Sequence, residues 1–407
     1  MHQVDLEAVR NERRHLGELA PKVIRIALGL GIVGVASGVV FALIGAGWRH
    51  FLFSYTAAFA YVLSLALGGM FFVVVKHLTK AGWNVTVRRI GELSAATLPF
   101  LFLLFLPILG VVLAGSGELF RWADPEVART DHLIHAKAPW LNPTSFALRW
   151  VLFFVIWTVI SRFFFKRSVE QDESGDPALT KRMEFLSAPS MILFALTLTF
   201  ASFDLLMSLD AHWFSTIFGV YYFSGAVVGF LSFAILAYMF LQRFGILQSA
   251  VTVEHYHDLG KLLFAFVFFW GYIAFSQYML IWYGNIPEET VWFQHRQSGT
   301  WAGVAIVLLF GHFLIPFPGL LSRHAKRKLG ILAFWAAWMM IMHYVDIYYI
   351  VMPNFDSHHA PLHVMDITVW IGMTSLFVAL VAWVGRHCSL LPVKDPRLSE
   401  ALAFENS

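Results

Sequence analysis

The chain has 407 residues, of which 58% are hydrophobic and 14% charged. Soluble domains carry roughly 25% charge, so this composition excludes a water-soluble enzyme and a nucleic-acid binder, and it points to a polytopic membrane protein. One cysteine, Cys388, makes neither an intrachain disulfide nor an iron–sulfur ligand set.

In chain order, residues 1–22 are expected as a cytoplasmic segment. The first apolar run, "VIRIALGLGIVGVASGVVFALIGAG", is too long for the core of a signal peptide and is expected as a retained helix. Further apolar runs predict helices near 51–75, 93–114, 143–165, 188–209, 216–241, 258–283, 298–316, 329–352 and 362–386. Residues 387–407 follow as a cytoplasmic tail. The fold expected is an all-α, ten-helix membrane domain over 23–386. When alternate connections are assigned to opposite sides, one side collects 23 of the 29 Lys and Arg. The other holds 6: Arg49, Arg121, Arg129, Lys137, Arg149 and Arg296. The positive-inside rule then puts both termini in the cytoplasm. Two connections are long. The first, 115–142, is expected outside. The second, 166–187, contains "VEQDESGDPALTKR" and reads as a solvated cytoplasmic linker.

Helices 2–5 and 6–9 read as two copies of one unit. "RIGEL" at 89–93 matches "DLGKL" at 258–262. "FASFDLLMSL" carries Asp204 where "IMHYVDIYYI" carries Asp346. Both units start on the same side, so the repeat is parallel. It predicts two four-helix bundles, about 51–209 and 216–352, with helices 1 and 10 peripheral.

A charge inside the bilayer costs about 2.5–3.5 kcal/mol on insertion scales, so buried acids are turned inward and partnered. The proton-transfer candidates on the outer side are Asp204, Asp346, His343, Asp210, His212 and Asp366. His343 and Asp346 are three apart on one helix face. Burial is expected to hold Asp204 neutral, with Asp346 in the parallel role. Gln277 and Tyr278, with Asp204, are the candidates for a small-molecule pocket. On the inner side "VEHYHDLGK" supplies Glu254, His257, Asp258 and Lys261, and His312 lies in the inner half of helix 8. These are weaker proton-uptake candidates, because a solvated interfacial turn with helix capping is the favoured reading of the "VEHYHDLGK" residues. A structural tie between helices is the competing reading for Asp204 and Asp346. Between the two groups hydroxyls such as Tyr272 and Ser276 are sparse, which suggests two half-channels around a poorly polar centre.

"SFDLLMSLDAHWFSTIFGVYYFSG" and "HDLGKLLFAFVFFWGYIAFSQYMLIWYGNIPEE" resemble the membrane subunits of alternative complex III, bacterial quinol:cytochrome c or quinol:cupredoxin oxidoreductases of the polysulfide-reductase-type anchor superfamily. The length is similar to the smaller of that complex's two homologous ten-helix subunits. The resemblance implies residence in the bacterial inner membrane, a proton path, and a quinone (menaquinone or ubiquinone) as ligand. Its implied partners are lipid, a homologous ten-helix quinone-binding subunit, an iron–sulfur/molybdopterin-like subunit, and multihaem and monohaem cytochrome c subunits. Haem c and iron–sulfur centres are implied only on those partners, with no metal held by this chain. One departure stands out. The outer half of helix 3, "FLFLLFLPILG", lacks the His, Asp or Glu expected of the quinol-oxidising sister subunit. Two alternatives remain open. A secondary transporter would need broken helices, with Pro99 and Pro107 as candidates. A haem b anchor would need paired His, and His312 and His343 are expected at unequal depth.

Overall fold

A computed structural model describes Val9 and residues 11–406; the rest of the expected N-terminal segment and residue 407 lie outside the described residues. Among the described residues ten helices are long and apolar enough to cross a membrane. In chain order they are α1 (Leu19–Ala46), α2 (Trp48–Leu78), α3 (Arg89–Leu113), α4 (Pro143–Ser174), α5 (Pro177–Leu209), α6 (Phe218–Arg243), α7 (Val253–Gly284), α8 (Trp301–Leu321), α9 (Leu329–Asn354) and α10 (Val364–Gly385). No named strand occurs among the described residues, only one isolated bridge between Arg13 and Ile246. The chain is an all-α, multi-pass integral membrane protein. The face where α1 begins and α10 ends is the terminal face.

Helix α2 packs on α3 and α5, and α4 closes the group against α3 and α5. Helix α6 packs on α7 and α9, with α8 between those two. The groups meet along α2 and α6. Each first helix also touches the fourth helix of the other group, α2 on α9 and α6 on α5. Helices α1 and α10 form a pair laid against α2. That pair is close because glycine faces glycine. A Cβ on Gly34 would sit 2.6 Å from both Gly372 Cα and Thr368 O. Small residues let helix backbones approach in this way where lipid provides no hydrophobic drive between helices.

The 166–187 segment is not a linker. Helix α4 continues to Ser174 and α5 starts at Pro177, separated only by Gly175 and Asp176. Glu, Gln and Lys are good helix formers, so a polar composition here means a helix in water rather than a loop. The stop is Gly175 at φ +68°, and the restart is Asp176, whose side chain accepts from Ala178 N ahead of Pro177. At the terminal face Arg88 and Arg89 share Glu92 at 2.8 and 2.9 Å, and Arg88 reaches Asp395 at 2.9 Å. This buried cluster ties the C-terminal tail to α3.

Two capping segments cover the opposite face. The 115–142 connection folds into short helices, Pro125–Thr130 and His132–Ala136, over α2–α5. The helix Pro287–Gln297 covers α6–α9. Trp213 and Trp292 stack at 4.5 Å between the two caps.

Candidate functional site

The two acids that align in the repeat have different partners. Asp204 is fully buried, and both its oxygens are held by Arg149 of α4, Nε to Oδ2 at 2.7 Å and Nη2 to Oδ1 at 2.9 Å. Trp140 adds an indole N–H at 2.9 Å, and its ring lies 4.0 Å below the guanidinium carbon. A bidentate guanidinium is the strongest partner a carboxylate finds among side chains. Asp204 is therefore tied to α4 and the cap by Arg149 and Trp140, and is not the lone carboxyl that its apolar run suggests. The signal was present: Arg149 lies six residues inside α4, and Asp204 five from the end of α5, at matching depth. Deeper in bundle one aromatic rings pack together, with Phe105 stacked 4.1 Å from Trp150, and Trp157 donating to Thr197 at 2.8 Å, while a small pocket of about 270 Å³ remains under the cap beside Trp140.

Asp346 has no cation. Its Oδ1 accepts the hydroxyl of Tyr221 from α6, and its Oδ2 accepts the indole N–H of Trp270 from α7 at 3.0 Å. One turn back, His343 is fully buried and its Nε2 lies 2.7 Å from Ser64 Oγ. Gly225 and Gly229 of α6 make room for that ring; a Cβ on Gly229 would meet its Cδ2 at 2.6 Å. His312 is fully buried too, stacked 3.8 Å over Trp270. It rides on a wide π-turn, Leu309–Leu314, of the kind that collects at functional sites. The expected difference in depth between His312 and His343 is removed by this packing, which brings their ring nitrogens within 4.8 Å of each other and of Asp346. Trp270 covers one face of His312, and the α6 glycines lie against His343.

Beside this cluster bundle two is hollow. A cavity of about 650 Å³ lies between α7 and α8 under the Pro287–Gln297 helix. Tyr221 and Trp270, the two donors to Asp346, form part of its wall, and Gln277, Tyr278, Trp292, Gln297 and Tyr349 are its other polar side chains. Gln277 is 4% exposed and its Oε1 has no partner. At the rim, Phe275 is 62% and Ile306 58% exposed, so the cavity opens sideways between the helices toward lipid. The cavity thus gathers Gln277 and Tyr278, but Asp204 belongs to the other bundle and does not line it.

The remaining candidates scatter. Asp366 is buried, bonded to Ser54 and to His50 Nε2 at 3.0 Å, and it accepts the His363 amide at the start of α10. Asp210 accepts the His212 amide at 3.2 Å, and His212 Nε2 meets Asp131 at 2.7 Å on the surface. The Ile134 amide and the His212 ring hold the Asp131 carboxyl below the usual range. On the terminal face Thr252 and His255 form a capping box at the start of α7. Glu254 pairs with Arg327 and accepts from Asn406, while Lys261 pairs with Asp258. His257 is buried, with Nδ1 unpartnered. Tyr272 points outward, 57% exposed, rather than into the centre expected from its place in the run. Sequence reasoning missed Tyr221, Trp270, Arg149, His50 and Ser64, all of which act through angles between helices.

No protein-family model matches the chain, and no curated protein matches it.

Proposed function

We propose that this integral membrane protein is the smaller ten-helix subunit of a bacterial quinol oxidoreductase of the alternative complex III type, and that its α7–α8 cavity takes a quinone. The observation that carries the ligand is the lipid-open, aromatic-walled cavity whose inner wall hydrogen-bonds Asp346. A planar ring with two oxygens and a long apolar tail suits it. Phe275 offers a face for stacking, Gln277 and Tyr278 offer hydrogen bonds, and the gap beside Phe275 and Ile306 lets a tail reach the acyl chains.

Tyr221 touches both the cavity and Asp346, so its hydroxyl can pass a proton from ligand to carboxylate in one relay step. In this reading redox centres sit on partner chains, both termini face the cytoplasm, and Asp346 with His343 serves proton release toward the outside. Asp204 takes no part in the relay. A transporter would place its helix breaks at corresponding points of the two repeats. The break at Thr97 in α3 and the wide turn in α8 are not in corresponding helices.

The test is photolabelling of the purified protein in lipid discs with a short-tail azidoquinone. Adducts are expected between residues 270 and 314, and adducts only elsewhere overturn the ligand assignment. Isolation of the tagged chain from its native membrane should bring cytochrome c and iron–sulfur chains with it. Recovery without them overturns the complex.

A further inference from the structure

His312, His343 and Asp346 present their nitrogen and oxygen atoms within 4.8 Å of one another, each residue buried from solvent. What each atom still has to offer follows from its partners. Ser64 Oγ is 2.6 Å from the carbonyl of Tyr61, which only its hydroxyl proton can satisfy. The same oxygen must therefore accept from His343 Nε2 at 2.7 Å, which puts the ring proton on Nε2. Neutral His343 is left with a bare lone pair on Nδ1, and that atom is buried without a partner. Each oxygen of Asp346 accepts one bond from a neutral donor, Tyr221 or Trp270, and keeps a free lone pair. Both nitrogens of His312 are buried without partners.

Three side chains thus turn lone pairs toward a shared space, with at most the one N–H of His312 among them. An unpaired buried acceptor costs about 1–3 kcal/mol. A proton satisfies two acceptors at most, whereas a metal ion satisfies all three. Two imidazoles and a carboxylate are a donor set for zinc or ferrous iron. Metal–ligand bonds of about 2.0–2.2 Å would draw the three groups slightly closer than they stand. The outer partners are in place: Ser64 orients His343, while Tyr221 and Trp270 orient Asp346. The wide turn that aims His312 is itself held, since Trp338 donates to Gly311 O at 2.7 Å.

We propose that His312, His343 and Asp346 form a binding site for one divalent transition-metal ion of the zinc class, at the junction of α7, α8 and α9. The site is independent of what fills the cavity, so its test contains no quinone. The chelator-treated protein in detergent is titrated with Co²⁺ alone and the visible ligand-field absorption is followed. Saturation near one Co²⁺ per chain is expected, with reversal by Zn²⁺. His312→Gln and Asp346→Asn should each weaken binding at least about tenfold, while His295→Ala, half-buried in the Pro287–Gln297 helix, should bind as wild type. Far-UV circular dichroism and elution volume establish that the variants are folded; if either is not, His343→Gln takes its place. Absence of saturable Co²⁺ absorption in the wild type overturns the site. Equal binding in folded His312→Gln and Asp346→Asn also overturns it, because the metal then sits elsewhere.

Discussion

Arg149 grips both oxygens of Asp204, and this decides what substitution does there. Removing one partner of a buried pair costs about 3–5 kcal/mol, whereas replacing both with apolar groups is near neutral. Asp204→Asn and Arg149→Met should each lower the thermal midpoint in detergent, and the pair Asp204→Leu with Arg149→Met should recover most of the loss. Additive losses in the double variant would remove the tie. Asp346 should behave differently. An Asn there has one acceptor oxygen for two donors, Tyr221 and Trp270, a cost of about 1–3 kcal/mol, and it cannot titrate. In the assembled complex Asp346→Asn and Tyr221→Phe are expected to cut proton-coupled turnover at least about tenfold. Asp204→Asn should lower the yield of complex but leave the turnover of what assembles unchanged. Wild-type turnover in Asp346→Asn would detach that acid from the chemistry.

At the scale of elements, the opening between α7 and α8 and the contact between α1 and α10 depend on small residues. Ala274 lines the cavity. Ala274→Trp fills the cavity from a wall that needs no repacking, so quinone binding, read by quenching of tryptophan fluorescence, should fall at least about tenfold with the fold intact. At Gly34 no side chain fits, because Gly372 Cα and Thr368 O already stand where a Cβ would lie. Gly34→Leu should separate α1 from α10 and cost about 1–3 kcal/mol or more, read as a lower midpoint with bundle-one and bundle-two contacts intact by crosslinking. The helices themselves were legible from apolar run length. The α4–α5 extension was misread because solvated helix and solvated loop share a composition; the Gly175–Asp176–Pro177 stop and restart was the better guide.

For the whole molecule, the two bundles share a layout and differ in filling. Rings such as Phe105, Trp150 and Trp157 occupy bundle one, while bundle two keeps its cavity. The asymmetry of basic residues makes a testable statement about orientation. In a Cys388→Ala background, Ser174→Cys should be labelled only from the cytoplasm and Ser116→Cys only from outside by a membrane-impermeant maleimide. The reverse pattern would invert the molecule.

The sequence by itself determined the ten spans, the alternation of their charge and the twinned positions of Asp204 and Asp346. Each of those depends on residue type and distance along one chain, and hydropathy adds up locally. Only the tertiary structure decided that Asp204 meets Arg149, that His312 lies beside His343, and that bundle two is the hollow one. Those facts depend on how each helix is rotated about its axis. In a membrane that rotation leaves little trace, because the side facing lipid and the side facing protein are both apolar. The wide turn at Leu309–Leu314 adds a further rotation that regular helical spacing does not carry, and it is that turn which swings His312 onto Trp270 and into reach of Asp346.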